Sequence, residues 1–364
     1  MEAVKPDYAG PNVTNVVPAL LGVRPVDWLP PPVAGADAIV LLVLDGLGWE
    51  ARVTHADVLP ELAALRGGPI TTVVPSTTPA ALTSITTGLP PARHGVTGFR
   101  MRVDGGVLNA IRWQRENNKR PPDPASVQRN PVFAGRPVPV VTKAEFRTSG
   151  LTGAHLRDGE FHGWQTTSVL VEHVRALVEG GAPLVYAYYP GVDEVAHAYG
   201  LMGSYYPAEL ANTDALVGAL LDALPSRVAL LVTADHGQVH LGAESWVGLG
   251  ALDRMVEVYA GDARFRYLHA RHGTTADTLA GAATDAVGKH AWVLTRDQLL
   301  DEGWMGPEAY GPARSRIGDV VLAARDAVGF VDPTFTRETG LRSGHGSITA
   351  AEMEVPLLAG RGRA

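Results

Sequence analysis

Three near-continuous apolar runs, each ending at an acidic residue, set the strongest limit on how this chain can fold. Asp37 to Leu44 (DAIVLLVL) stops at Asp45-Gly46, and Pro183 to Tyr189 (PLVYAYY) stops at Pro190-Gly191-Val192-Asp193. Arg227 to Thr233 (RVALLVT) stops at Ala234-Asp235-His236-Gly237. Hydrophobicity that is continuous rather than alternating belongs to parallel strands buried on both faces. Helical patterns lie between the runs, in Thr167 to Glu179 and in the amphipathic stretch Pro207 to Leu224. This alternation predicts a doubly wound α/β fold, with a mostly parallel central sheet and helices on both faces. Ligands of such sheets collect outside the carboxyl ends of the strands. Asp45, Asp193 and Asp235 all stand there.

A fourth polar group repeats the position. The stretch Pro75 to Gly95 reads PSTTPAALTSITTGLPPARHG. A short strand, Ile70 to Val74, is expected to run into Ser76, Thr77 and Thr78, with Pro79 opening a helix over Ala80 to Thr86. A hydroxyl at that elbow faces the unpaired N–H groups and the positive dipole end of the helix, which attract anions. A threonine there can attack a phosphoryl group once its hydroxyl is made more acidic.

The remaining segments are less patterned. Residues 1–36 are rich in proline and read as an extended lead-in over the surface. Residues 57–66 read as a short helix, and Arg115 to Val138 as a long surface excursion. After Leu241 the pattern changes to mixed strands and helices, including Met255 to Tyr259, Thr275 to Val287 and Ile317 to Ala323. The expected organisation is a catalytic core of residues 37–240 and 336–364 with a smaller inserted lobe, 241–335. Val355 to Leu358 is the candidate last strand.

Composition narrows the function. The net charge of -7 argues against a nucleic acid polymer as partner, whereas small phosphorylated substrates stay open because metals reverse the local field. The chain has no cysteine, which excludes disulfides, thiolate metal sites and cysteine nucleophiles. The first twenty residues lack a secretory pattern, and no apolar run is long enough to span a bilayer. A soluble, cytoplasmic protein with no membrane partner is expected.

The polar groups at the strand ends form a set: Asp45; Thr78; Asp193 with His197; Asp235 with His236; and His345 in Arg342 to Ser347 (RSGHGS). Carboxylates and imidazoles without sulfur suit zinc, with manganese as the alternative. Seven groups exceed one tetrahedral ion and suit two divalent ions, which can clamp the attacking and leaving oxygens of a phosphoryl transfer. Singly, each group has a plain structural role available, as turn, cap or ion pair. His55, His94, His155, His162, His173, His240, His269, His272 and His290 are given such roles. Trp49, Phe99, Trp113, Tyr188 and Tyr189 read as core or rim aromatics that could also stack on a nucleobase.

The ordered motifs resemble the alkaline phosphatase superfamily, and within it the nucleotide pyrophosphatase/phosphodiesterase type. They are LDG at Leu44 to Gly46, a threonine ten residues before Gly88 of TTG, and RHG at Arg93 to Gly95. D-x-x-x-H at Asp193 to His197, ADHG at Ala234 to Gly237 and GHG at Gly344 to Gly346 follow. The resemblance implies one metal on Asp193, His197 and His345. It places a second on Asp45, Asp235 and His236, with Thr78 reaching into that site. It implies a covalent phospho-threonine, zinc as the usual metal, and a small phosphorylated substrate such as a nucleotide. The spacing favours Thr78, with Thr77 as the alternative. A phosphomonoesterase, a phosphonate hydrolase and a phospho-ligand binder without turnover are the rival readings. One departure stands out: these phosphodiesterases carry a phosphate-binding asparagine after HG-x-x-G, where this chain has Phe99. Either Asn109 supplies that donor or the helix N-terminus suffices.

Overall fold

The computed structural model describes residues 2–116, 119–309 and 311–364. The chain makes strands β1 (Ala38–Leu44), β2 (Arg66–Thr71), β3 (Pro139–Lys143), β4 (Glu160–Trp164), β5 (Leu184–Tyr189) and β6 (Val228–Thr233). A second, antiparallel sheet follows, from β7 (Val256–Gly261), β8 (Phe265–Ala270), β9 (Ala291–Thr295) and β10 (Val320–Ala324). The chain then returns as β11 (Glu354–Arg361). The central sheet runs β2-β11-β6-β1-β5-β3-β4, with β6, β1, β5, β3 and β4 parallel and β11 antiparallel to both neighbours. The last strand is therefore longer than Val355 to Leu358 and inserted between β2 and β6. β5 and β6 are buried along their whole length, as continuous apolar runs require.

Six helices matter here: α1 (Val13–Leu20), α2 (Thr78–Thr87), α3 (Thr167–Glu179), α4 (Gly191–Tyr199), α5 (Tyr205–Ala223) and α6 (Ala276–Val287). α1 corrects the reading of residues 1–36 as an extended surface segment. Val13, Val16 and Val17 recur at helical spacing and are buried in the main core, and the Asn12 side chain caps the helix by accepting from the Thr14 N–H. Prolines on either side masked that short period. The strand expected at Ile70 to Val74 lies earlier, at Arg66–Thr71, because the Thr72 N–H turns to Met353 and the Ser76 N–H to Gly346. Residues 57–66 supply only a five-residue helix, Pro60–Ala64, before β2 begins. The Arg115 to Val138 excursion is partly internal, with Val127, Val132 and Phe133 buried, while its Asn117 and Asn118 lie outside the described residues. The second sheet has its own core, from Leu252, Val256, Leu268, Leu279, Val320 and Leu322 among others. Among the described residues, no helix is long and apolar enough to cross a membrane.

Candidate active site

The sheet register brings the first groups together. Val43 on β1 pairs with Thr233 on β6, so Asp45 and Asp235, each two residues further on, leave the sheet at one level. On the other side of β1, Leu44 pairs with Tyr189. Asp193 then sits in the first turn of α4, its N–H donating to the Asp45 carbonyl at 3.1 Å. Gly46 lets these elements meet: its φ is +76°, and a Cβ there would lie 3.0 Å from the Asp193 Cβ.

Two sets of side chains converge. Asp193 Oδ1 lies 3.3 Å from His197 Nε2, one turn along α4, and 3.8 Å from His345 Nε2. The two imidazole Nε2 atoms are 3.3 Å apart. In the second set, His236 Nε2 lies 3.3 Å from Asp45 Oδ1, 3.4 Å from Asp235 Oδ2 and 3.1 Å from Thr78 Oγ1. The His236 and His345 rings stack at 3.6 Å, which joins the sets. Asp193 is also within ligand-sharing distance of Asp45 and His236.

Orientation of the imidazoles follows from their outer nitrogens. Nδ1 of His197, His236 and His345 each meets a backbone carbonyl, of Ser343 at 3.0 Å, Gly237 at 3.1 Å and Ser76 at 2.9 Å. Nδ1–H therefore donates outward, and each Nε2 lone pair points into the site, as in metal-ligating histidines.

The site has too many acceptors for its donors. Asp45 Oδ1 and Asp235 Oδ2 are buried without a hydrogen-bond partner among the described residues. Buried polar atoms left so are costly, and acceptors facing acceptors call for a cation. Burial, and then the charges of Asp235 and Asp193, push the Asp45 carboxyl well above its usual range. Burial also raises Asp193 and Asp235. His236 is lowered by burial, and His345 lies well below its ordinary value through burial and then its two imidazole neighbours. Neutral imidazoles beside crowded carboxylates are the donor set that divalent metals resolve.

The two threonines separate. Thr77 is the N-cap of α2, and its hydroxyl donates to Asp262 Oδ1 at 2.8 Å. Thr78, the first residue of α2, points instead at His236. Sequence reasoning missed three partners here. The Tyr188 hydroxyl donates to Asp45 Oδ2, the Gln238 amide to Asp193 Oδ1, and buried Asp262 holds Thr77. Tyr188 lies one residue before the end of β5 and read as a core or rim aromatic; Gln238 follows ADHG directly, where a polar side chain was a usable signal; Asp262 comes from the β7–β8 turn, distant in sequence.

Cavities open on both sides. One of about 260 Å³ lies beside Asp45, Thr78 and Asp193, with Leu82, Ile111, Phe146, Leu151 and Tyr188 on its walls. The other, of about 200 Å³, lies beside Thr77, His197 and His345, and Phe99 is on its wall. Asn109 lies at the end of a hairpin strand, where its Oδ1 accepts from the Arg112 N–H at 3.0 Å. From that hairpin it is Ile111, not Asn109, that lines both cavities. His94, at 2.8 Å from the Ser84 hydroxyl, braces α2.

The fold is of the alkaline phosphatase-like α/β class. The profile of the type I phosphodiesterase / nucleotide pyrophosphatase family matches residues 39–346, and the chain belongs to that family, whose members are metal-dependent hydrolases of phosphoester and pyrophosphate bonds. No curated protein sequence matches it significantly. Among solved structures, murine ectonucleotide pyrophosphatase / phosphodiesterase 5 is similar, with a TM-score of 0.65 and 14% identity over 90% of this chain and 88% of that one. Its inactive threonine-to-alanine variant in complex with AMP gives a TM-score of 0.64 and 13% identity over 89% and 87%. Phosphonoacetate hydrolase from Sinorhizobium meliloti 1021, in complex with phosphonoformate, gives 0.61 and 18% over 90% and 91%.

Proposed function

We propose that this chain hydrolyses phosphodiester or nucleotide pyrophosphate bonds at a two-metal site through a phospho-threonine on Thr78. The observation that carries the reading is the position of Thr78: its hydroxyl opens α2, meets His236 Nε2 at 3.1 Å, and lines the larger cavity, while the adjacent Thr77 lines the smaller one. A phosphorus with an organic group on each side fits that arrangement. Asp193, His197 and His345 would hold one ion, and Asp45, Asp235, His236 and Thr78 the other. Zinc suits these donors, and the pair would supply Lewis-acid stabilisation of the attacking and leaving oxygens.

The chain's own residues account for the rest. The buried N-terminus of α2 directs its dipole at the phosphoryl oxygens. Thr78 gives up its hydroxyl proton to solvent and its Oγ attacks phosphorus; the Oγ–P bond forms as the P–O bond to the leaving group breaks, and the departing oxygen takes up a proton from water. Water then cleaves the phospho-threonine, which restores the hydroxyl and releases the phosphoryl product. Tyr188 orients Asp45 and Gln238 orients Asp193, so both carboxylates face inward. The inactive threonine-to-alanine relative, bound to AMP, supports both the nucleophile and a nucleotide-like substrate.

Phe99, standing where a phosphate-binding asparagine belongs in the phosphodiesterases, favours a second reading as a phosphonate hydrolase or phosphomonoesterase. Hydrolysis of bis-p-nitrophenyl phosphate beside p-nitrophenyl phosphate, with metal content measured on the same sample, decides between them. Faster diester cleavage with about two metal ions per chain is expected; faster monoester cleavage selects the alternative.

A further inference from the structure

We infer that the cavity on the His197–His345 side takes an uncharged leaving group, and that Asp262 excludes phosphate leaving groups from it. The inference rests on the phosphodiester reading and narrows it to esters of neutral alcohols rather than pyrophosphate-linked nucleotides. Thr78 fixes the direction. It stands against His236, so in-line displacement sends the departing oxygen to the opposite side of phosphorus, towards Asp193, His197 and His345. The smaller cavity opens there, with Phe99 and Leu341 as apolar wall and the carboxyls of Asp262 and Glu338 beside them. No Lys or Arg lines it among the described residues.

The surrounding charges do not cancel these acids. Arg266 pairs with Glu338 and lies 3.6 Å from Asp332, while Arg100 pairs with Asp332 and Glu116. Two guanidiniums thus serve three carboxylates before Asp262 is counted. The hydrogen bonds of Asp262 come from neutral groups, the Thr77 hydroxyl at 2.8 Å and the Phe99 N–H at 3.4 Å. A pyrophosphate leaving group would bring several negative charges into this pocket, whose wall carries no Lys or Arg among the described residues to add to the one ion that Asp193, His197 and His345 would hold. The opposite side differs: Arg112, Arg120 and Arg147 line a groove that shares Ser149 and Thr152 with the larger cavity. Anionic parts of a substrate are accommodated on the retained side, not the departing side.

Two substrates test this on the metal-loaded full chain: the p-nitrophenyl ester of thymidine 5′-monophosphate, and thymidine 5′-triphosphate. Both transfer the same thymidine 5′-phosphoryl group to Thr78, and they differ only in what leaves. Burial pushes the Asp262 carboxyl up to about 7, so the assay is run at about pH 9, where it is ionised. The wild-type chain is expected to favour the aryl ester in kcat/KM. Asp262→Asn, which keeps an acceptor for Thr77, is expected to raise the triphosphate relative to the aryl ester by about tenfold. Leu341→Lys puts a cation on the same wall without touching Thr77, and should move the ratio the same way even if Asp262→Asn folds poorly. A wild-type preference for the triphosphate, or a ratio unchanged in both variants, overturns the inference and leaves the diester reading standing. Cleavage of p-nitrophenyl phosphate alone overturns both.

Discussion

The two halves of the site are held in different ways. Asp45, Asp235 and His236 stand at the ends of adjacent central strands, and their side chains are at most 3% exposed. Asp193, His197 and His345 come from one turn of α4 and from a loop that returns after the second sheet, with 15%, 22% and 10% exposure. Sheet register fixes the first group. The second group depends on docking: the Ser76 N–H donates to the Gly346 carbonyl at 3.2 Å, and the Gly346 N–H to the Ser76 hydroxyl at 3.1 Å. That bridge ties the His345 loop to the turn that carries Thr78. On the proposed mechanism, the sheet-fixed half would meet the nucleophile and the docked half the leaving group.

The largest expected effect separates nucleophile from ligand. Thr78→Ala should lower turnover on the order of 10⁴-fold or more, since removing a nucleophile abolishes the covalent route, while metal content stays nearly intact. Thr77→Ala, which breaks only the bond to Asp262, should cost far less. The reverse order would make Thr77 the nucleophile. A smaller effect probes the docked half alone. Gly346 has a φ of +117°, and a Cβ there would lie 2.9 Å from the Asp262 Cβ. Gly346→Ala should displace His345 and lower metal affinity about 10–100-fold at that half only. Two ions lost together would show that the halves are one cooperative unit.

The same difference explains what could be read from the sequence. Asp45 and Asp235 were legible because buried parallel strands leave a one-dimensional pattern, a continuous apolar run that stops at an acid. α3 was legible too, at the limits the periodicity predicts. His345 was visible only by its residue type and its place in the family motif, since a histidine between glycines has no periodicity to report. Asp262 was invisible: the turn between the paired strands β7 and β8 carries it to Thr77, and contacts spanning 185 residues leave no local trace. Asn109 looked suitable by type and nearness, yet a local turn takes up its carbonyl. α1 was hidden because Pro18 lies inside an eight-residue helix.

Support around the sheet-fixed half gives the next test. Tyr188→Phe removes only the hydroxyl that orients Asp45, and should weaken metal binding there by about tenfold, near the lower end for outer-shell partners. Equal loss at both halves would refute the separation.

The smallest effect is a pH dependence. In the metal-free protein, burial raises Asp45, Asp193 and Asp235 above the usual carboxyl value of 3.8. The folded chain then keeps protons that the unfolded chain releases. That contribution to stability is complete below about pH 4 and is lost as pH rises through the folded values. Bound cations hold the same carboxylates ionised and reverse the sign, so protons compete with metal at the acid end. Above about pH 7, where the buried imidazoles are neutral folded and unfolded alike, the Tm of chelated protein should therefore fall as pH rises, while the Tm gained on adding zinc grows over the same range. Asp235→Asn removes one of the two acids of the sheet-fixed half and should flatten the metal-free slope, whereas His345→Ala should leave it nearly unchanged. A slope that vanishes with His345 instead would place the pH sensitivity in the docked half and undo the contrast between the two.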